Sequence, residues 1–194
     1  MATVEFRPCL SCAAWIFLVF AIAMPASASS PGRPSSWRIE GVESSVVTEI
    51  KGETGNSVVS RKAEKGSIVQ VRAIFSPPLG LRKLTLSQIK LSGSSSDLGA
   101  KSSWVFEPIG IALATPGSCN YLFPDSIVKG EISQTLKDGG ELSLKREKKG
   151  DELTLSVGPS TPLCLAFPIP ATPQGRMKLL FGGSEAVVPA APPK

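Results

Sequence analysis

Ser87-Gln88-Ile89-Lys90 matches a short catalytic pattern, S-x-x-K, in which a lysine amine draws the proton from a serine held at the start of a helix. The flanking Leu84, Leu86, Ile89 and Leu91 read as a strand instead. Three residues along a strand place two side chains on opposite faces, so hydroxyl and amine would not meet. The companion motifs of such enzymes are not evident. The plain reading is a surface serine and a surface lysine.

Hydrolysis of a sugar needs only two acids facing a cleft, and Asp97, Glu107, Asp125, Asp138, Glu141, Asp151 and Glu152 supply the residue type. Most of them stand beside glycine or lysine in expected turns, where a solvated loop acid is the ordinary explanation. A calcium site around Asp138 and Glu141 would suit a hard cation, yet no ligand spacing marks one. The chain contains no histidine. That removes the commonest general base, the commonest zinc ligand and the usual partner of a serine or cysteine nucleophile. The sequence therefore assigns no catalytic residue, no cofactor and no metal.

Lys145, Arg146, Lys148 and Lys149 are the densest basic cluster and the candidate contact for an anionic surface. Glu147, Asp151 and Glu152 interrupt it. At a hairpin tip such a mixture more simply keeps the chain soluble and discourages edge pairing. A nucleic-acid reader would gather its basic residues on one face with aromatics between them, and no such stripe is present. Trp37, Trp104, Tyr121 and the phenylalanines Phe75, Phe106, Phe123, Phe167 and Phe181 are too few for an exposed sugar-binding platform and are expected in the core.

The elements that would position these residues begin after a leader. Arg7 precedes the apolar block Leu10 to Met24, followed by Pro25 and Ala26-Ser27-Ala28. A block this short followed by a small-x-small site reads as a cleavable signal peptide over 1–28, so the protein is expected to be secreted or periplasmic. It would meet the membrane only if the leader were retained as an anchor. Cleavage loses Glu5 and Arg7, so the remaining 166 or so residues keep the net charge of +5, enough for one domain. Cys9 and Cys12 leave with the leader. Cys119 and Cys164 remain, an even pair in an oxidising compartment, and a disulfide is expected between them, with two separate buried thiols as the alternative.

Ser29-Ser30-Pro31-Gly32-Arg33-Pro34 marks 29–36 as a flexible segment, and Pro189 to Lys194 has the same character, leaving 37–188 as the folded unit. Within it apolar residues repeat mostly with period two. Val69, Val71, Ala73 and Phe75 alternate with Gln70 and Arg72; Leu142 and Leu144 face Leu153, Leu155 and Val157 across a charged, glycine-tipped hairpin turn. Further strands are expected at 37–42, 46–50, 84–91, 104–106, 127–132, 163–167 and 177–181. Turns rich in proline and glycine separate nearly all of them, and no window reads as a long amphipathic helix. The expectation is an all-β chain of two antiparallel sheets packed face to face. Leu163, Leu165 and Phe167 share one face of their strand and Cys164 the other, so a bridge from Cys164 is better sought in the turn Pro116-Gly117-Ser118-Cys119-Asn120 than across a core.

Phe75-Ser76-Pro77-Pro78, the strand Leu84 to Leu91, and the ending Leu163-Cys164-Leu165-Ala166-Phe167-Pro168-Ile169-Pro170 with Leu179-Leu180-Phe181-Gly182 resemble a bacterial secreted immunoglobulin-like domain of unknown function. Its members tend to carry Phe-x-Val-Pro where this chain has Phe167-Pro168-Ile169-Pro170. The resemblance implies an immunoglobulin-like antiparallel β-sandwich used as an interaction module outside the cytosol, and it brings no functional residues. Together these readings describe an exported, non-enzymatic module that binds a protein or cell-envelope component through a sheet edge or end loops, with no nucleic-acid partner. The alternative is an exported hydrolase using carboxylates or the Ser87/Lys90 pair.

Overall fold

A computed structural model describes residues 36–54, 57–63, 66–78, 83–95, 102–169 and 176–190. The expected leader over 1–28, the segment 29–35 and residues 191–194 lie outside them. The described part is all-β. In chain order the strands are β1 (Arg38–Val47), β2 (Glu49–Thr54), β3 (Ser57–Lys62), β4 (Ser67–Ser76), β5 (Lys83–Thr85), β6 (Ile89–Ser95), β7 (Ser102–Phe106) and β8 (Gly110–Thr115). They continue with β9 (Ser118–Cys119), β10 (Gly130–Thr135), β11 (Glu141–Arg146), β12 (Thr154–Val157), β13 (Thr161–Ile169), β14 (Met177–Phe181) and β15 (Ser184–Val188). Among the described residues no helix is long and apolar enough to cross a membrane.

A five-stranded sheet has the order β1-β4-β13-β8-β9; two four-stranded sheets have the orders β10-β11-β12-β5 and β15-β14-β6-β7; β2 and β3 form a hairpin. The paired strands are all antiparallel. Alternation explains which residues meet. Val69, Val71, Ala73 and Phe75 of β4, with Leu163, Leu165 and Phe167 of β13, present one face of the large sheet to a core shared with both four-stranded sheets. Those sheets contribute Leu142, Leu144, Leu155 and Val157 on one side and Ile89, Leu91, Leu179 and Phe181 on the other. The Phe75 and Phe181 rings meet at 4.2 Å between centroids, and Trp37 sets its edge on Phe181 at 5.0 Å.

The opposite face of the large sheet is also covered over β8, β13 and the start of β4, which alternation alone does not predict. Cys164 and Ala166 of β13, Ala112 and Ala114 of β8 and Ile68 of β4 pack beneath Ile50, Tyr121 and Phe123 in a second, smaller core. Here the β2–β3 hairpin and the segment after β9 close over the sheet, joined by bonds from the Glu53 amide to the Tyr121 carbonyl and from the Tyr121 amide to the Lys51 carbonyl, each 3.1 Å. Residues 163–167 are consequently buried on both faces, and so are the first five residues of β8.

Three departures from the expected strands have local causes. The run expected as one strand over 84–91 is broken by a short 3₁₀ turn, Leu86–Gln88, whose Gln88 side-chain carbonyl accepts from the Thr85 amide at 2.9 Å. The break carries the chain from one four-stranded sheet, where Leu84 pairs Leu155, to the other, where Leu91 pairs Leu179. The run expected over 127–132 opens only at Gly130, after a second 3₁₀ turn at Pro124–Ser126. Residues 38–47 form one strand, kept continuous by a bulge between Glu40 and Glu43 at which Gly41 takes a φ of +60°.

Candidate functional site

Ser87 and Lys90 of the S-x-x-K match fall on different elements, the 3₁₀ turn and the strand after it. Ser87 sits on the turn and donates to the Glu152 carboxylate, while Lys90 lies on β6 opposite Leu180. Hydrogen bonds from Ser87 and then Thr85 hold the Glu152 carboxyl below its ordinary range. An accepting carboxylate could orient the serine, but the amine that S-x-x-K chemistry requires is on a different element. Asp138 lies in the turn before β11 and Glu141 begins that strand. Among the described residues no three or more Cys, Asp or Glu side chains gather where they could hold a metal ion.

The basic cluster is divided by strand geometry. Lys145 ends one alternating row of β11 and meets Glu147 at 2.7 Å; that contact raises the lysine and lowers the glutamate relative to their ordinary values. Lys148 and Lys149 are exposed at the hairpin tip, where the Lys148 carbonyl accepts from the Asp151 amide at 3.1 Å. Arg146 belongs to the other row. It follows Leu142 and Leu144 on the core-facing side of β11, at the point where the strand runs out of core to cover.

There a cleft of about 730 Å³ opens. Its wall is built where strands end: Arg61 and Lys62 close β3, Phe106 closes β7, Arg146 closes β11, and Pro168 and Ile169 close β13. Leu86 enters from the first 3₁₀ turn and Pro124 and Asp125 from the second. Pro108, Pro124 and Pro168 lack an amide proton and have a fixed φ, so they stop or edge the sheets and turn apolar rings toward the opening. The stretch between β7 and β8 is tied to the large sheet by a 2.8 Å bond from the Ile109 amide to the Ala166 carbonyl.

Charges on the wall are unequally matched. Arg61 donates to Asp125 at 2.6 Å and lies 5.2 Å from the centroid of the Phe123 ring. Lys62 faces Glu49 at 3.8 Å. Glu107 is exposed on the rim. Arg146 is half-buried and enters none of the ion pairs between described residues; its Nε is occluded and has no hydrogen-bond partner. Among the described residues, Glu107 and Asp125 are the two carboxylates on this cleft. Both are exposed, and Asp125 is already engaged by Arg61.

Cys119 and Cys164 are disulfide-bonded, with Cα atoms 6.2 Å apart. The bridge ties β13 to the tight hairpin of β8 and β9, on the face covered by the second core, so it is a staple between strand and turn within one sheet. Arg72 reaches the same place from β4, donating to the Thr115 carbonyl at 3.3 Å and toward Cys119 Sγ at 3.6 Å. Sequence reasoning singled out Arg146, Glu107 and Asp125 separately but neither brought them together nor found the apolar wall between them. A signal was present in Phe123-Pro124 and Phe167-Pro168, two aromatic–proline steps, and in Phe106-Glu107-Pro108, where one residue intervenes; all three end near this opening. Comparison of the chain with protein-family models, with curated proteins and with solved structures found no match.

Proposed function

We propose that the protein is an exported, non-catalytic module that binds a protein or cell-envelope component at the end of its sheets. In this reading the five-stranded sheet is one layer of an immunoglobulin-like sandwich, the two four-stranded sheets are the other, and the leader over 1–28 is removed on export. The observation that carries it is the cleft among the strand ends, whose volume of about 730 Å³ and mixture of apolar wall and charged rim suit recognition. The separation of Ser87 from Lys90 and the engagement of Asp125 by Arg61 support binding over turnover. The disulfide between Cys119 and Cys164 agrees with an oxidising compartment.

The test has two parts. N-terminal sequencing of protein recovered outside the cytosol is expected to begin at Ser29; a start at Met1 counts against export. Capture from an envelope fraction is then compared for the native chain, for Ala63→Trp, which fills the cleft, and for a Lys148→Ala/Lys149→Ala variant of the tip. A partner lost only with the filled cleft supports the reading. A partner lost only with the tip lysines moves the binding surface to the hairpin.

A further inference from the structure

We infer that the cleft takes a single-chain amphiphile bearing one carboxylate head, with Arg146 as its counter-charge and Leu86, Phe106, Ile109 and Ile169 as the wall along its chain. This rests on the cleft being the working surface, and it names the chemistry that surface recognises.

The argument starts from alternation. A position in register with Leu142 and Leu144, both at most 1 % exposed, is a core position by period and is expected to be aliphatic. The chain places an arginine there. A guanidinium drawn partly out of water without an anion beside it is unfavourable, and the cost is relieved when a carboxylate or similar group binds. The other two cations on the wall have anions already: Arg61 has Asp125 at 2.6 Å and Lys62 has Glu49 at 3.8 Å. Among the described residues that line this cleft, Arg146 is the cation left for a ligand.

The remaining wall sets the rest of the ligand. Leu86, Phe106, Ile109 and Ile169 offer hydrocarbon contact, and the proline rings give no donor for a polar body to use. A purely ionic ligand would leave that surface wet. Glu107 on the rim disfavours a second negative charge, which points to a monoanion rather than a polyanion. Arginine rather than lysine suits a carboxylate, because its planar fork can make two parallel bonds to the two oxygens.

Titration calorimetry with the purified, disulfide-intact protein tests this, using sodium dodecanoate below its micelle concentration, dodecanol, dodecyltrimethylammonium and acetate. Dodecanoate is expected to bind. Arg146→Met is expected to weaken it by about 10- to 100-fold, the loss typical of a charge-assisted hydrogen bond. Arg146→Lys should retain part of the affinity, Lys148→Ala/Lys149→Ala all of it, and Ala63→Trp none. Thermal unfolding of each variant separates lost binding from lost fold. Equal binding of dodecanol or of the ammonium amphiphile overturns the role of Arg146, and equal binding of acetate overturns the apolar wall. Binding only to anionic vesicles, with none to monomeric dodecanoate, overturns the ligand class. If Ala63→Trp abolishes envelope capture while no amphiphile binds, the cleft reading stands and this inference fails. If dodecanoate binds through Arg146 while capture is indifferent to Ala63→Trp, this inference stands and the partner reading fails.

Discussion

Gly52 of β2 lies directly against the backbone of Tyr121: a β-carbon at position 52 would overlap the Tyr121 carbonyl oxygen and come within 2.7 Å of the Phe123 ring. The contact lets two extended segments, far apart in sequence, share a parallel bridge over the second core. Gly110 performs the matching role from below, where a β-carbon would stand 2.9 Å from the Tyr121 ring. Tyr121 is thus held at its backbone by Gly52 and at its ring by Gly110, two positions that tolerate no side chain.

Gly52→Ala is expected to destabilise the fold by about 1–3 kcal/mol, the range for forcing an extra carbon into a packed site. Chemical denaturation would read this as a lower midpoint at unchanged slope. Hydrogen exchange should show the Glu53 and Tyr121 amides losing protection first. Unchanged protection at both would mean the hairpin does not close over the sheet.

Reduction of the disulfide, or Cys119→Ala with Cys164→Ala, releases a ring whose ends are 45 residues apart in sequence. The chain-entropy treatment puts the loss near 4 kcal/mol. Cys164 is buried among Ala112, Ala166 and Tyr121, so the variant is expected to stay folded but melt lower. Scanning calorimetry with and without reductant is the measurement, and coincident transitions would count against the bridge.

Phe181→Ala removes the ring that contacts both Phe75 and Trp37. Truncation of a core phenylalanine typically costs about 3–5 kcal/mol. Val187→Ala on the neighbouring β15, at a side chain 55 % exposed, is expected to change stability by less than about 0.5 kcal/mol. Equilibrium unfolding of the two variants side by side checks the orientation of the β14–β15 hairpin.

Tyr121 gives the fold a dependence on alkaline pH. Burial pushes its phenol well above the ordinary value, with Gln70 and Arg72 offsetting part of the effect. In the unfolded chain the phenol titrates near about 10. Above that pH the unfolded state releases a proton that the native state keeps, so this contribution is complete below about pH 10 and is lost as pH rises. The chain has one tyrosine, so phenolate absorbance reports this group alone. Phenolate is expected to appear together with unfolding, and Tyr121→Phe should flatten the fall in stability above about pH 10. A phenolate signal near pH 10 from folded protein would place the ring in water.

Strands with one wet face were legible in the sequence. The β11–β12 hairpin pairs Leu142 with Val157 and Leu144 with Leu155, as its alternation implies, because one leucine row seals a core while serine, threonine and lysine meet solvent. Gly110–Thr115 gave no such signal. Gly-Ile-Ala-Leu-Ala is covered on both faces, so no polar residue is needed at alternate positions and the period vanishes. Ser57–Lys62 and Ser184–Val188 were missed for the opposite reason, since they are short outer strands that bury few side chains. The slip in phase between Leu84, Leu86 and Ile89, Leu91 was visible, but its meaning, a change of sheet across a 3₁₀ turn, was not.

What the amino-acid order determined by itself was local: extended backbone where β-branched and aliphatic residues alternate, turns where glycine and proline cluster, and the pair Cys119 and Cys164. Those follow from sterics and from the period of two that a pleated strand imposes. Tertiary structure alone decided that β8 and β13 are buried on both faces, that Ser87 turns to Glu152 rather than Lys90, and that Arg146 stands on a cleft apart from the lysines beside it in sequence. Each of these depends on which distant strand lies opposite, a matter of packing between segments that neighbouring residues do not encode.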